Sequence, residues 1–363
     1  MKKPVVPTNG PKPVGPYTPG LLCGDFLYAS GQGSRNASGG EMPTDFPTQV
    51  RNSIQNVRLI VEAGGMAMKD IVYSQVYLAD MSRFPALAEF WREAFPEGGP
   101  AFSVLGVARM PTETPVEISA VAVRGAARPH ADVREAGGRL YFSGAGGATP
   151  ALAMENLAKR AKAAGIDMGH FAFVNAYCAG GVTLAQLNEV YGPYFDAGNA
   201  PARCSLVVES LPPGFGVELT GVAVRDLSMR RVLRPRNMAP SRTSSPAVWA
   251  GDTLYMSAKS GFIPGPNSGI YGTTVEQQVR QTMRNLLDGL EETGLDFSHC
   301  VAANVYVDDL TEFAKMNGVY GSFFKGDAPT RTTVQPLRPV ARNLTAAGTF
   351  PMLEQVSLVA WKG

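Results

Sequence analysis

Two kinds of side chain that can handle an anionic, hydrolysable substrate recur at fixed places in this chain. A glutamate opens the same block three times, as Glu117-Ile118-Ser119-Ala120, Glu218-Leu219-Thr220-Gly221 and Glu354-Gln355-Val356-Ser357. Upstream of each lies a second recurring block: Pro100-Ala101-Phe102, Pro201-Ala202-Arg203 and Pro329-Thr330-Arg331. An arginine presents a planar, bidentate fork that suits a carboxylate. A partly buried glutamate can hold or activate a water, the more so if burial raises its pKa. The glutamate is kept three times and the arginine twice, with Phe102 in the odd place.

The elements that must position these residues repeat as well. Phe26-Leu27-Tyr28-Ala29-Ser30-Gly31 returns as Arg139-Leu140-Tyr141-Phe142-Ser143-Gly144 and as Thr253-Leu254-Tyr255-Met256-Ser257-Ala258, with serines 113 and 114 positions apart. Three blocks in one order mean triplication, and so long a period fits a whole small domain. The boundaries expected are 1–127, 128–228 and 229–363. Each unit opens on a hairpin, such as Leu21 to Ser30 turning at Gly24-Asp25. A helix over Pro47–Gly64 follows, with Val50, Ile54, Val57 and Val61 on one face and a stop at Gly64-Gly65. Strands at Ile71–Leu78 and Val116–Val123 flank a second helix at Phe84–Phe95. The order β-β-α-β-α-β predicts an α+β sheet with two helices on one face, leaving the other apolar face to be covered. The middle repeat has only eight residues between Ser143 and Ala151, a lost loop, and the third carries about eight extra after Arg331. Such loops are where function varies on a fixed scaffold.

Bulk properties narrow the classes. With 45% hydrophobic and 18% charged residues the chain reads as globular, and a net charge of +2 argues against nucleic-acid or anionic-membrane binding. No stretch of about 20 apolar residues is present. Cys23, Cys178, Cys204 and Cys300 lack paired spacing and read as reduced, buried thiols of a cytoplasmic protein. His170 and His299 have no ligand spacing, so no metal is expected. Gly144-Ala145-Gly146-Gly147 lacks the context of a dinucleotide loop and reads as a shortened turn; no cofactor is expected. The Arg-rich join at Arg230, Arg231, Arg234, Arg236 and Arg242 reads as a solvated linker, with an anion-binding patch as the alternative.

The first repeat resembles the Rid family, also called YjgF-like or L-PSP endoribonuclease proteins. Gly15-Pro16-Tyr17, Ser30-Gly31-Gln32, Glu62-Ala63-Gly64-Gly65, Val107-Ala108-Arg109-Met110-Pro111 and Val116-Glu117-Ile118 carry the likeness, and the repeats extend it over nearly the whole chain. The resemblance implies chorismate-mutase-like domains that form trimers, with sheets inward as a barrel, helices outside and a ligand cleft at each subunit interface. Three fused repeats then make a single-chain pseudo-trimer that runs as a monomer. It also implies hydrolysis of 2-imino or enamino acids to 2-oxo acids and ammonia, without a cofactor. A small carboxylate-bearing imine or oxo acid is the partner expected.

By the same resemblance the catalytic candidates are Arg203, Glu218, Arg331 and Glu354. Tyr17, Ser30, Gly31, Asn188, Ser143, Asn317 and Ser257 would line the clefts. Departures are plain: Phe102 and Ala88 stand for the arginine and asparagine in repeat one, and His130 and Ser244 stand where Tyr17's counterparts belong. Glu117, lacking an arginine in its own repeat, reads as structural or vestigial. Phe102 reads either as a lost carboxylate site or as interface packing. Two other functions stay open: a non-catalytic small-molecule-binding protein with degenerate sites, and an endoribonuclease, disfavoured by the near-neutral charge and the lack of a histidine pair.

Overall fold

The computed structural model describes residues 2–36, 41–126, 132–235, 241–265, 269–345 and 348–363. His130 and Arg236 lie outside them. The first repeat comprises β1 (Lys2–Val5), β2 (Gly20–Cys23), β3 (Phe26–Gln32), α1 (Phe46–Ala63), β4 (Ile71–Leu78), α2 (Phe84–Ala94), β5 (Ala101–Gly106) and β6 (Val116–Val123). The second comprises β7 (Val133–Ala136), β8 (Arg139–Gly147), α3 (Pro150–Ala163), β9 (Phe171–Cys178), α4 (Leu184–Tyr191), β10 (Ala202–Val207) and β11 (Val217–Val224). The third adds β12 (Arg230–Val232), β13 (Ala247–Ala250), β14 (Thr253–Met256), the hairpin β15 (Phe262–Ile263) and β16 (Ile270–Tyr271), α5 (Val275–Glu291), β17 (Cys300–Val307), α6 (Phe313–Gly321), β18 (Thr330–Val334) and β19 (Glu354–Trp361).

Three equivalent sheets result: β2-β3-β6-β4-β5, β7-β8-β11-β9-β10 and β13-β14-β19-β17-β18, with β1 and β12 extending the first and third. The expected order lacked one strand. β5, β10 and β18, which carry Phe102, Arg203 and Arg331, pair in parallel with β4, β9 and β17 across the second helix of each repeat. β5 and β18 are short and buried along most of their length, so no alternation announces them, whereas β10 alternates buried and half-buried positions over only six residues. Two further readings change. Gly144–Gly147 completes β8 rather than forming a turn. The expected linker opens as β12, where Arg230 bonds Phe171 O and Asn199 rather than water.

Local chemistry explains the helix limits. Asp45 caps α1 by accepting from Thr48 N, Pro47 fits the first turn, and Gly65 takes φ +72° past the end. In α5 the reciprocal Thr274/Gln277 pair does the same work. Val50, Ile54, Val57 and Val61 face the sheet of the first repeat, as Val275, Val279, Met283, Leu286 and Leu290 do in the third. The other sheet faces pack on one another. One apolar cluster joins Tyr77 and Leu105 of the first repeat to Phe173 and Cys204 of the second and Tyr255 and Val334 of the third. The strands pair with one another only within their own sheets, and between repeats only isolated bridges such as Gly106 with Ser210 and Arg109 with Gln335 form, so no closed barrel is seen among the described residues. All four cysteines are buried and free.

Candidate functional site

The repeats meet at three junctions built on one rule. At each, a backbone N–H on the strand after the Pro-Ala or Pro-Thr pair donates to the recurring serine of another repeat. Arg331 N reaches Ser30 Oγ at 2.9 Å, Arg203 N reaches Ser257 Oγ at 2.8 Å, and Phe102 N reaches Ser143 Oγ at 3.3 Å. Ser30 and Ser257 pass their own protons to Thr18 O and Ser245 O. Both are therefore engaged as clamps between repeats. Because each junction joins different repeats, an arginine never faces the glutamate of its own repeat. Arg331 meets Glu117, and Arg203 does not meet Glu218.

The junction of repeats three and one assembles the fullest set. Tyr17, Gly31, Gln32, Glu117, Arg331 and Thr333 line a narrow cavity of about 90 Å³ there. The Arg331 guanidinium lies 5.1 Å over the Tyr320 ring, 5.4 Å over Tyr17 and 5.5 Å over Phe313. Its Nη1 is buried without a hydrogen-bond partner, as are Asn317 Oδ1 and Thr333 Oγ1. Gly15 has no room for a side chain, since a Cβ would stand 2.5 Å from Arg331 Nη2 and 3.2 Å from the Asn317 amide. Ser30-Gly31 sits where β3 breaks register with β6, and a Cβ on Gly31 would stand 2.0 Å from Glu117 Oε1. The glycine thus admits the Glu117 carboxyl to the cleft. Burial pushes that carboxyl up to about 8, against the opposing pull of Arg331. At neutral pH Glu117 is therefore mostly protonated, and Arg331, itself pushed down by burial, has no fully charged partner. A buried cation without a counter-ion is costly, and a bound carboxylate would relieve that cost.

The junction of repeats two and three keeps the arginine but not the glutamate. Arg203 Nη2 donates to Asn188 Oδ1 at 2.6 Å and its guanidinium lies 4.6 Å over Tyr191. Here the residue at the Gly31 position is Ala258, and at Gly31 itself a Cβ would stand 2.0 Å from the Glu117 carboxyl. Glu354 turns instead toward α5, accepts from the Thr282 hydroxyl and is pushed up to about 8 by burial. Lys259, Ser205, Ser244, Gln355 and Arg203 line a roomier cavity of about 560 Å³.

The junction of repeats one and two lacks the cation. Phe102 packs on Trp91, with ring centroids 5.5 Å apart, where the other junctions stack an arginine on Tyr191 or Tyr320. Glu218 enters beside Gly144 but is capped by the Ser103 hydroxyl, and burial raises it to about 7. Arg160, which donates to Ser143 O, pulls weakly the other way.

Comparison with known proteins bears on what these clefts belong to. The family model described as Endoribonuclease L-PSP matches the chain three times, over residues 7–124, 126–225 and 235–340. The chain belongs to this family. Among its L-PSP relatives is the 2-iminobutanoate/2-iminopropanoate deaminase of Escherichia coli strain K12, 38% identical over 127 residues, which are 34% of this chain and 99% of the relative. A RutC family protein of Pyrococcus horikoshii is 35% identical over 125 residues, again 34% of this chain and 99% of the relative. The crystal structure of the YjgF gene product from E. coli is 38% identical, with a TM-score of 0.33, covering 34% of this chain and 98% of its own.

Within this L-PSP chain the structure gathers Tyr17, Ser30, Gly31, Asn317 and Arg331 at one junction, and Asn188, Arg203 and Ser257 at another. Ser143 and Glu218 fall at the third, and Glu354 points away from the cleft its repeat helps to form. Glu117, left without an arginine when the repeats are read one at a time, has Arg331 across the junction. Lys259 and the contrast between Gly31 and Ala258 escaped the sequence reading. The signal was present in the first recurring block, which reads Ser-Gly, Ser-Gly and Ser-Ala.

Proposed function

We propose that the chain is a Rid-type hydrolase converting reactive 2-imino or enamino acids to 2-oxo acids and ammonia, and that it does so at the cleft between repeats three and one. The observation that carries this reading is the meeting of Arg331 and Glu117: an unpaired buried cation beside a carboxyl held mostly protonated. Arg331 Nη1 would take the substrate carboxylate. That anion would push the Glu117 carboxyl up further, keeping it an acid in the complex. Glu117 then protonates the imine nitrogen as water adds to the imine carbon. Its carboxylate recovers a proton from the added water, and the carbinolamine collapses to the 2-oxo acid with loss of ammonia. Atoms balance as imine plus water giving oxo acid plus ammonia.

The proposal includes the architecture: units near 1–127, 128–228 and 229–363 acting as a single-chain pseudo-trimer, with a barrel-like core and outer helices. Support comes from the apolar cluster shared by all three sheets. The working assay generates 2-iminobutanoate with a threonine dehydratase and follows trapping by semicarbazide. Faster oxo-acid formation that is lost in Arg331→Ala supports the reading, and no acceleration at high protein concentration overturns it. Gel filtration as one chain checks the architecture.

A further inference from the structure

The cleft between repeats two and three differs from the proposed deaminase cleft in a consistent direction. Its acid is gone, because Ala258 fills the place of Gly31 and Glu354 is tied to Thr282. In Gln32's place, one residue past Ala258, stands Lys259. The Lys259 ammonium lines the cavity, has no hydrogen-bond or ionic partner among the described residues, and is pushed down by burial alone. Arg203 Nη1 is also buried without a partner, and the charged or polarisable groups influencing Arg203 are Tyr191, Cys178 and Cys204, none a carboxylate. No aspartate or glutamate lines the cavity among the described residues, while Arg234 adds a third positive charge at its wall. Ser205 Oγ and Gln355 Oε1 are buried there without partners. Two unpaired cations facing one cavity repel each other, and negative charge from a ligand would stabilise them together.

We infer that this cleft is a binding site for a small dianion, held by Arg203 and Lys259, and that it performs no deamination. One carboxylate or phosphate oxygen pair engages the Arg203 fork, whose other edge is already fixed by Asn188. Lys259 takes the second charge, and Ser205 offers a hydroxyl donor. The cleft lacks the protonated glutamate that serves the Arg331 cleft as acid, and Lys259 serves charge binding rather than proton transfer. The site stands independently of the deaminase reading, since it shares no lining residue with the cleft around Arg331.

Calorimetry on the full chain carrying Arg331→Ala, which silences the other cleft, tests this. Three probes are compared: 2-oxoglutarate, inorganic phosphate and the monoanion 2-oxobutanoate. At least one dianion should bind once per chain and about tenfold or more tighter than 2-oxobutanoate, the worth of one added charge-assisted contact. Phosphate preferred over 2-oxoglutarate means that the cations share one group; the reverse means that they hold two. Lys259→Gln, which restores the residue type of Gln32, should bring the dianion down to the monoanion's level. The same substitution in the chain with Arg331 intact should leave any imine hydrolysis unchanged and, by removing one of two unpaired cations, should not lower its melting temperature. Equal affinity for mono- and dianions, a dianion affinity indifferent to Lys259→Gln, or no binding at millimolar concentration would each overturn the assignment. Loss of imine hydrolysis in a folded Lys259→Gln chain would overturn its non-catalytic half.

Discussion

Arg331 and Glu117 belong to different repeats yet line one cleft, and in each the effect of burial outweighs their mutual attraction. Burial keeps the glutamate protonated, which leaves the arginine unpaired and ready for a carboxylate. On this basis Arg331→Ala should lower kcat/KM for 2-iminobutanoate about 100-fold, the scale of losing a bidentate charge-assisted contact. Arg331→Lys should recover part of that loss, because it restores charge but not the planar fork. Arg203→Ala should leave turnover intact. Initial rates of semicarbazone formation for the three variants check the ordering, and equal losses at both arginines would contradict it.

The protonated form of Glu117 gives the reaction a pH signature. Its folded pKa of about 8 lies above the ordinary carboxyl value, so the acid is fully present at pH 6 and is lost as pH rises through 8. The enzyme-dependent excess over spontaneous hydrolysis should be flat from about pH 6 to 7 and fall about tenfold per unit well above 8. Glu117→Gln should cost roughly 100-fold or more in rate and erase the break. A profile that rises through pH 8 would point to the carboxylate as the working form instead.

Gly31 offers a way to recreate the third repeat's rearrangement in the first. Alanine there would place its Cβ 2.0 Å from Glu117 Oε1, too close to coexist. In the third repeat the displaced Glu354 is received by Thr282, eight positions past the helix cap Thr274; Ser53 holds the same place relative to Asp45 in α1. Gly31→Ala should therefore swing Glu117 toward Ser53, keep most of the stability, within about 2 kcal/mol, and lose activity as Glu117→Gln does. Denaturant melts alongside rates separate this from simple unfolding.

Repetition made much of this architecture legible, because three copies of one pattern correct one another. Ile71–Leu78 and Val116–Val123 occur as strands where the sequence placed them, and α1 ends at the glycine pair that predicted its stop. Strands β5 and β18 were missed because Ala101–Gly106 and Thr330–Val334 are buried nearly throughout and show no period of two, while β10 alternates but over only the six residues Ala202–Val207. The pairing of Arg331 with Glu117 was not legible for a different reason. It depends on which repeats become neighbours, a relation between segments more than 200 residues apart that no local pattern encodes. Ala258 is the opposite case: one methyl group, visible in the sequence, whose consequence needed Glu117 and Glu354 to be seen in place.

Stability should carry the mark of the same buried acids. Glu117, Glu218 and Glu354 have folded pKa values of about 8, 7 and 8, all raised by burial above the unfolded value. The folded chain then holds protons that the unfolded chain has released, from roughly pH 5 upward. A proton excess in the folded state makes stability fall as pH rises, so the melting temperature should drop by several degrees between about pH 5 and 8. Glu354→Gln isolates one contribution without touching the Arg331 cleft. Its amide keeps an oxygen to accept from Thr282, and burial no longer opposes a charge. The variant should match the parent near pH 5, exceed it near pH 8 and show a shallower slope between. A parent whose melting temperature rises over that range would mean that the three carboxyls ionise in the folded state, and the acid role given to Glu117 would fall with them.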